Sequence, residues 1–108
     1  MAAPQPLQKF FVYAPDKADA DRLSVRAKHL EGAAKFVADG TLRFGGVLLT
    51  PESLTGGEKK MVGSVSIYEA ENIEAVRKIV KDDIYYATGV WDPERMVILP
   101  FVAGTPFP

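Results

Sequence analysis

The segment RLSVRAKHL, residues 22–30, holds the single histidine of the chain, His29, together with two arginines. Imidazole gains and loses protons near neutral pH, so it is a candidate general acid or base. We take the core direction of a helix here, at about 100° per residue, from its apolar positions Leu23, Leu30 and Val37. Arg22, Arg26 and His29 then fall on one border of that stripe and converge at a cleft. The alternative is that the arginines only lay their stems on the core and His29 is a half-buried helix residue.

A carboxylate is the second unusual feature, in the segment KDDIYY at 81–86. If the second helix continues through this segment, Asp83 lies within its apolar stripe, where a charge needs a partner. The alternative is that the helix ends near Lys81 and Asp83 begins the next turn as a cap or bend residue. Taken together, the two features predict a hydrogen-bonded pair in which Asp83 fixes the tautomer of His29, the acid or base.

Other residues near this pair are candidates for binding. Arg26, and less directly Arg22, offers positive charge to an oxyanion, enolate or carboxylate of a small ligand. Tyr85 follows Asp83 closely and is either a hydroxyl donor to the ligand or a buried core residue. Trp91 is expected to serve packing.

Composition argues against several other classes of function. The chain has one histidine and no cysteine, so it lacks the usual ligands of a metal site, and no metal or cofactor is predicted. Gly56 and Gly57 lie in a loop without the helix pattern of a phosphate-binding motif. A net charge of −1 gives no positive field for nucleic acid. The start of the chain lacks a signal sequence or membrane span, so we expect a cytoplasmic protein.

Apolar periodicity predicts the elements that must position these residues. Alternating or continuous apolar runs predict strands, and steps of three and four residues predict helices. Gly45 and Gly46 interrupt the second strand and suit a bulge or a close backbone approach. The second helix is expected to begin at a cap, Glu71 or Asn72. The predicted order is a strand at 9–14, a helix ending by Gly40, strands at 41–50 and 61–69, a helix from Ile73, and a strand at 96–101.

This order is that of an α+β protein with the split βαβ arrangement of the ferredoxin-like class. We expect a single domain at 9–102, a flexible arm at 1–8, a tail at 103–108, and a loop at 51–60 that is either a lid or a connection. Two helices cover one face of such a sheet. The other face is also apolar, so we expect a second copy to bury it in a homodimer.

The segments RLSVRAKHL, ADGTLRFGGVL and KDDIYYATGVW, with a final strand ending in PF, resemble the YCII-related (YciI-like) domain family over residues 9–101. The resemblance implies a dimeric α+β barrel with an active site built from a histidine and an aspartate. Those roles fall on His29 and Asp83, with Arg26 and Ser24 in the same helix motif. Ile84 and Val47 stand where the family often has proline, which predicts a reshaped cleft lining.

Three functions remain open from the sequence. The first is a cofactor-free enzyme of lyase or isomerase type, in which His29, oriented by Asp83, moves a proton of a small organic acid or phenol. The second is a non-catalytic dimeric module that binds a small anion through Arg22 and Arg26. The third is a purely structural dimer domain.

Overall fold

A computed structural model describes residues 6–107 of the chain. It contains four strands and three α-helices, and short 3-10 turns precede the first helix and follow the second strand. The predicted order of elements is confirmed, with one extra short helix after the second. The elements are β1 (Gln8–Pro15), α1 (Arg26–Ala38), β2 (Leu42–Leu49), β3 (Met61–Ala70), α2 (Ile73–Asp82), α3 (Ile84–Ala87) and β4 (Val97–Phe101).

The four strands form one antiparallel sheet in the order β2-β3-β1-β4. Helix α1 joins β1 to β2, and these two strands are separated by β3. Helices α2 and α3 join β3 to β4, which are separated by β1. Each crossover therefore spans one intervening strand, which is the ferredoxin-like split βαβ topology that the sequence predicted.

The core lies between the sheet and α2. Phe10, Val12 and Ala14 alternate along β1 and are buried on the helix face. Val76 and Val80, one helical turn apart on α2, are 0% and 1% exposed and pack into the same cluster. The predicted cap of α2 is Asn72, whose side chain accepts a hydrogen bond from the Ala75 N–H at 2.9 Å. Periodicity, cap and packing thus agree for this helix.

Helix α1 is different, because none of its residues is buried. The sequence analysis directed Leu23, Leu30 and Val37 toward the core, but these side chains are 69%, 47% and 60% exposed, so that prediction is wrong. The physical reason is the small size of the residues that lie opposite α1. Leu30 and Val37 face glycines and serines of β2 and β3 across an open cleft, and side chains of that size cannot fill the gap.

The glycine pair of β2 does not form the predicted bulge. Gly45 and Gly46 stay in regular register with Ser66 and Val65 of β3. The register shifts lie on either side of them, between Leu42 and Phe44 and between Leu48 and Leu49. The glycines therefore leave the space above the strand open. The irregularities in strand pairing lie near the two ends of β2.

The loop at 51–60 is closed at its base. The Thr50 N–H donates to the carbonyl of Lys60 at 3.0 Å, and the Lys60 N–H donates to Oγ of the buried Ser53 at 3.0 Å. A 3-10 turn at Pro51–Leu54 fills part of the loop. These contacts describe an ordered connection.

The chain ends carry two further observations. Residues 1–5 of the predicted arm and residue 108 of the predicted tail lie outside the described residues, and Gln8 already belongs to β1. Within the tail, the Phe107 ring lies near the charged groups of Lys9 and Arg43. In residues 6–107, no helix has both the length and the apolar character needed to span a membrane.

Candidate active site

His29 and Asp83 meet, although 54 residues separate them in the chain. Nδ1 of His29 lies 2.9 Å from each carboxylate oxygen of Asp83. Both side chains are partly buried, with 19% and 15% of their surface exposed. A carboxylate accepts hydrogen bonds, so Nδ1 carries a proton in this contact and Nε2 is left for a ligand.

The local structure that presents Asp83 decides between the two alternatives of the sequence analysis. Helix α2 ends at Asp82, so of the two alternatives the structure shows the one in which the helix stops and Asp83 is a cap residue. Asp83 lies between α2 and α3 with extended backbone angles and caps α3, accepting the Tyr85 N–H at 2.9 Å on Oδ1. The same carboxylate still reaches His29. Its position is thereby held by a backbone donor as well as by the imidazole.

Tyr85 supplies the surface on which the imidazole lies. The two rings are stacked, with centroids 3.9 Å apart and planes at 13°. Trp91 meets both rings edge-on, at 5.9 Å from His29 and 5.6 Å from Tyr85. Tyr85 is 1% exposed, and burial raises the pKa of its phenol, so the ring is a neutral wall of the site.

Arg22 is used inside the protein. Its Nε and one terminal nitrogen donate to the two oxygens of Asp16, each at 2.9 Å, and that terminal nitrogen also donates to Ser64 Oγ at 3.0 Å. The guanidinium carbon lies 4.7 Å from the centre of the Tyr85 ring. The side chain borders the inner end of the cleft but is only 7% exposed. Its charge is therefore compensated before any ligand arrives.

Arg26 and Ser24 occupy contrasting positions. Arg26 is exposed and lines the cleft, and within residues 6–107 no carboxylate lies within 4 Å of its guanidinium. Ser24 lies outside the cleft lining, and its hydroxyl donates to the carbonyl of Asp21 at 3.2 Å. Of these two predicted binding residues, only Arg26 faces the space that a ligand would occupy.

The cleft itself is a cavity of about 420 Å³ between α1 and strands β2 and β3. Its floor is made of residues with little or no side chain: Gly45, Gly46, Ser64 and Ser66. A Cβ built on Gly46 meets nothing within 4 Å, and one on Gly45 meets only side-chain atoms at 3.8–3.9 Å. Val47, one of the two departures from the resembled family, is also in the lining. The cleft is mostly apolar; His29 and Arg26 also line it, as does Arg43, which donates to Glu69 at 2.9 Å.

A second groove, of about 480 Å³, lies between α1 and α2. His29 borders both cavities, whereas Asp83 borders only this groove, together with Ile84 and the lysines Lys28 and Lys78. The His29–Asp83 pair is consequently the partition between the two cavities.

The sequence analysis missed several residues of the site. Asp16 has no signal of its own in the sequence, because its role depends on its contact with Arg22. Trp91 was treated as packing, although it also lines the cleft. Tyr68 lines the cleft from β3, and burial, with a smaller contribution from the charge of Asp83, raises the pKa of its phenol to about 12. The alternation of Ser64 and Ser66 along β3 was the one available signal.

Comparisons with known proteins give consistent matches. Residues 9–101 match the family described as the YCII-related domain. Fusaric acid biosynthesis protein 2 of Gibberella moniliformis (strain M3125 / FGSC 7600) is 35% identical over 97 residues, covering 88% of this chain and 93% of that protein. Aspartate kinase FUB3 of Fusarium oxysporum f. sp. lycopersici is also 35% identical over 97 residues, but the match covers only 18% of its length.

A solved structure with the same fold is among the matches. It is 5-chloro-2-hydroxyhydroquinone dehydrochlorinase from Burkholderia phenoliruptrix AC1100, in complex with 2,5-dihydroxybenzoquinone. It is 24% identical, with a TM-score of 0.75, and the match covers 89% of this chain and 95% of that one. At this identity the likeness establishes the fold.

Proposed function

Because the chain belongs to the YCII-related domain family, we propose that it is a cofactor-free enzyme of lyase or isomerase type, in which His29 and Asp83 act as an acid–base pair. The observation that carries the proposal is the contact of His29 Nδ1 with both oxygens of Asp83 at 2.9 Å. Pairs of this kind orient a histidine in proton-transfer enzymes, and the contribution of such a base is typically about 10²–10⁴-fold in rate.

In this proposal the two nitrogens of the imidazole have different tasks. Nδ1 carries the proton that it donates to Asp83, so Nε2 accepts the proton of the substrate. In an elimination, the electron pair freed by that proton forms a double bond, and the leaving group departs with its own pair. The imidazolium formed is stabilised by the Asp83 carboxylate and by the face of Tyr85. Arg26 is placed to balance negative charge that develops on a substrate oxygen.

A small planar ring acid or phenol is the class of substrate that suits the cleft. A volume of about 420 Å³ lies at the small end of ligand pockets, and its apolar walls suit the faces of a ring. The structural neighbour is a dehydrochlorinase of a hydroxylated ring and is in complex with a dihydroxybenzoquinone, which supports elimination from a ring of this size. The fungal relatives are named for fusaric acid biosynthesis, which supports a role in small-molecule chemistry.

The alternative is a non-catalytic module that binds a small anion. Because Arg22 is paired with Asp16 and Arg43 with Glu69, each at 2.9 Å, this function now rests on Arg26. The two functions differ in what happens after binding. An anion-binding module retains binding without turnover and gains nothing from the pairing of His29 with Asp83.

A homodimer remains part of the proposal. The sheet face turned away from the helices carries apolar residues of all four strands, and Leu99 on this face is 56% exposed. The strand register places Phe11, Tyr13, Val65, Val97 and Phe44 on the same face. A patch of this kind is more than a monomer usually leaves in water. Sedimentation of the wild type and of Leu99→Glu tests the proposal, with a dimer expected only for the wild type.

The test of the acid–base pair uses the fact that His29 is the only histidine. Its ring resonances are followed by NMR against pH in the wild type, in Asp83→Asn and in the matched control Asp82→Asn. Asp82 is the preceding carboxylate, exposed and paired with Lys78. We expect Asp83→Asn to move the titration midpoint of the imidazole to lower pH by about 1 unit or more, because an opposite charge in contact favours the protonated form. Equal midpoints in the two variants contradict the pair.

The catalytic step is tested separately with a ring compound that carries a leaving group. Chloride release from 5-chloro-2-hydroxyhydroquinone and related chlorinated phenols is measured with the wild-type protein. Release that depends on His29 supports the enzyme. Binding of 2,5-dihydroxybenzoquinone, seen as quenching of Trp91, without release from any compound of this class favours the anion-binding module.

A further inference from the structure

The buried ion pair of Asp16 and Arg22 has no part in the proton transfer described above. The side chains of Asp16 and Arg22 are 8% and 7% exposed. They form a bidentate ion pair with two charge-assisted hydrogen bonds of 2.9 Å. Burying two charges has a desolvation penalty that their attraction only partly offsets, so such a pair is weak evidence for a role in stability alone. The contacts of the pair with its neighbours therefore indicate whether it has a role besides stability.

Among the described residues, the guanidinium of Arg22 donates to Asp16 and Ser64 and lies over the ring of Tyr85. Ser64 also accepts a hydrogen bond from Nε1 of Trp91 at 3.4 Å. The rings of Tyr85 and Trp91 are the two aromatic surfaces in contact with His29. Arg22 thus contacts Tyr85 directly and Trp91 through Ser64, and these are the two rings that touch the imidazole.

Asp16 is itself fixed by the backbone. Its N–H donates to the carbonyl of Val62 at 2.9 Å, and it forms an isolated bridge with Trp91 just beyond the end of β1. Arg95 donates to the carbonyl of Asp16 at 2.8 Å. The carboxylate therefore projects from a part of the chain that is tied to β3 and to the 91–95 segment.

We propose that Asp16 is a positioning residue for His29, which acts through Arg22 and Tyr85. Asp16 holds the guanidinium of Arg22 on the Tyr85 ring and neutralises its charge beside the imidazole. This inference rests on the proposed function, because it gives the pair a role only if His29 exchanges protons. It also explains why Arg22 is not an anchor for the substrate, and it leaves Arg26 as the cation that meets the ligand.

The two effects of Asp16 have distinct physical causes. The distances from the Tyr85 ring to Arg22 and to His29 put the two groups at most about 9 Å apart, where a partly buried charge is still felt. Without Asp16, the charge of Arg22 opposes formation of the imidazolium. Without the ion pair, the ring of Tyr85 loses one of the contacts that hold it at the position where it stacks on His29.

Several other charged or titratable groups lie around the imidazole and must stay unchanged in the test. Asp83 and Tyr85 touch it from the segment that follows α2, and Arg26 lies on its own helix. The others border the cleft or the groove that His29 lines: Tyr68 from β3, Arg43 from β2, Lys28 from α1, and Lys78 and Asp82 from α2.

The first experiment is an NMR titration of His29 in the full chain carrying Asp16→Asn. The control is Glu74→Gln, which removes one negative charge from an exposed arginine pair on α2. We expect the midpoint of His29 to fall by about 0.5–1 unit in Asp16→Asn, the order expected for one uncompensated charge at this distance, and to stay unchanged in Glu74→Gln. The same midpoint in both variants overturns the proposal.

The second experiment uses the double variant Asp16→Asn/Arg22→Gln, which leaves no unpaired buried charge and so keeps the chain folded if Asp16→Asn alone does not. We expect its midpoint to return toward the wild-type value, because the opposing charge is gone. The ring-current shift that Tyr85 imposes on the His29 protons should fall, because that contact with the ring is gone too. A double variant with wild-type ring shifts overturns the positioning role.

These outcomes are separable from the fate of the proposed function. If Asp83→Asn shifts the midpoint and Asp16→Asn does not, the acid–base pair stands and the role of Asp16 fails. If Asp83→Asn leaves the midpoint in place, the acid–base pair fails whatever Asp16 does.

Discussion

The two longer helices lie over the same face of one sheet but relate to it in opposite ways. Helix α2 inserts Val76 and Val80 fully into the core, whereas α1 has no buried residue and borders an open cleft. Both helices show apolar positions at three- and four-residue steps. The difference lies in the strands below, because α2 meets Phe10 and Val12 while α1 meets glycine and serine. One helix stabilises the fold, and the other forms a wall of the site.

The comparison predicts that a change on α1 removes activity without unfolding the chain. In His29→Gln, the amide still bonds to Asp83 but cannot take up a proton. We expect chloride release to fall by about 10²–10⁴-fold, while the free energy of unfolding changes by no more than about 1 kcal/mol. Steady-state rates and urea unfolding of the same preparation measure the two quantities. A fully active variant refutes the role of His29.

Alkaline pH tests the boundary between the core and the cleft, where Tyr68 lies. Burial raises the pKa of this phenol to about 12, so the folded state keeps a proton that the unfolded chain loses above pH 10. The corresponding stability is fully present below pH 10 and is lost as the pH rises toward 12, by about 2 kcal/mol. Urea unfolding at pH 9 and near pH 12 measures the loss. Tyr68→Phe should show a loss smaller by that amount, and an identical loss in both proteins contradicts the burial of the hydroxyl.

The smallest effects come from truncating one apolar side chain on each helix. Val76→Ala leaves a cavity in the core and should lower the free energy of unfolding by about 2 kcal/mol. Leu30→Ala removes more atoms, but the side chain is 47% exposed, so we expect a loss below about 1 kcal/mol. Urea unfolding of both variants at pH 7 ranks them. The reverse ranking shows that α1 is packed in solution and the cleft is closed.

The sequence predicted most of the fold because the elements have strong local signals. The alternation in β1, the apolar steps of α2 and the cap at Asn72 each depend on neighbours within one element. His29 and Asp83 were found because a titratable group next to an apolar stripe is unusual in either helix. The structure brings them into contact by ending α2 one residue before Asp83.

The remainder depends on contacts between distant segments, which periodicity does not contain. A helical wheel places Arg22 and Arg26 on the same border of the predicted first helix. In the structure, Arg22 is buried against Asp16 and Arg26 is exposed. The partner of Arg22 comes from the end of β1, six residues earlier, where the chain is not helical. The wheel also gives the direction of the apolar stripe on α1, but it contains no information about the glycines and serines of β2 and β3 that this stripe faces.

The floor of the cleft has one further consequence. Gly45 and Gly46 lie on β2, an edge strand of the sheet, and neither the hydrophobic core nor the His29–Asp83 contact passes through them. A methyl or isopropyl group added at Gly45 would project into the cavity and shorten it with only ordinary contacts around it. Under the proposed function, a substitution at Gly45 would therefore reduce the size of the ring compound that the cleft admits and leave the His29–Asp83 contact unchanged.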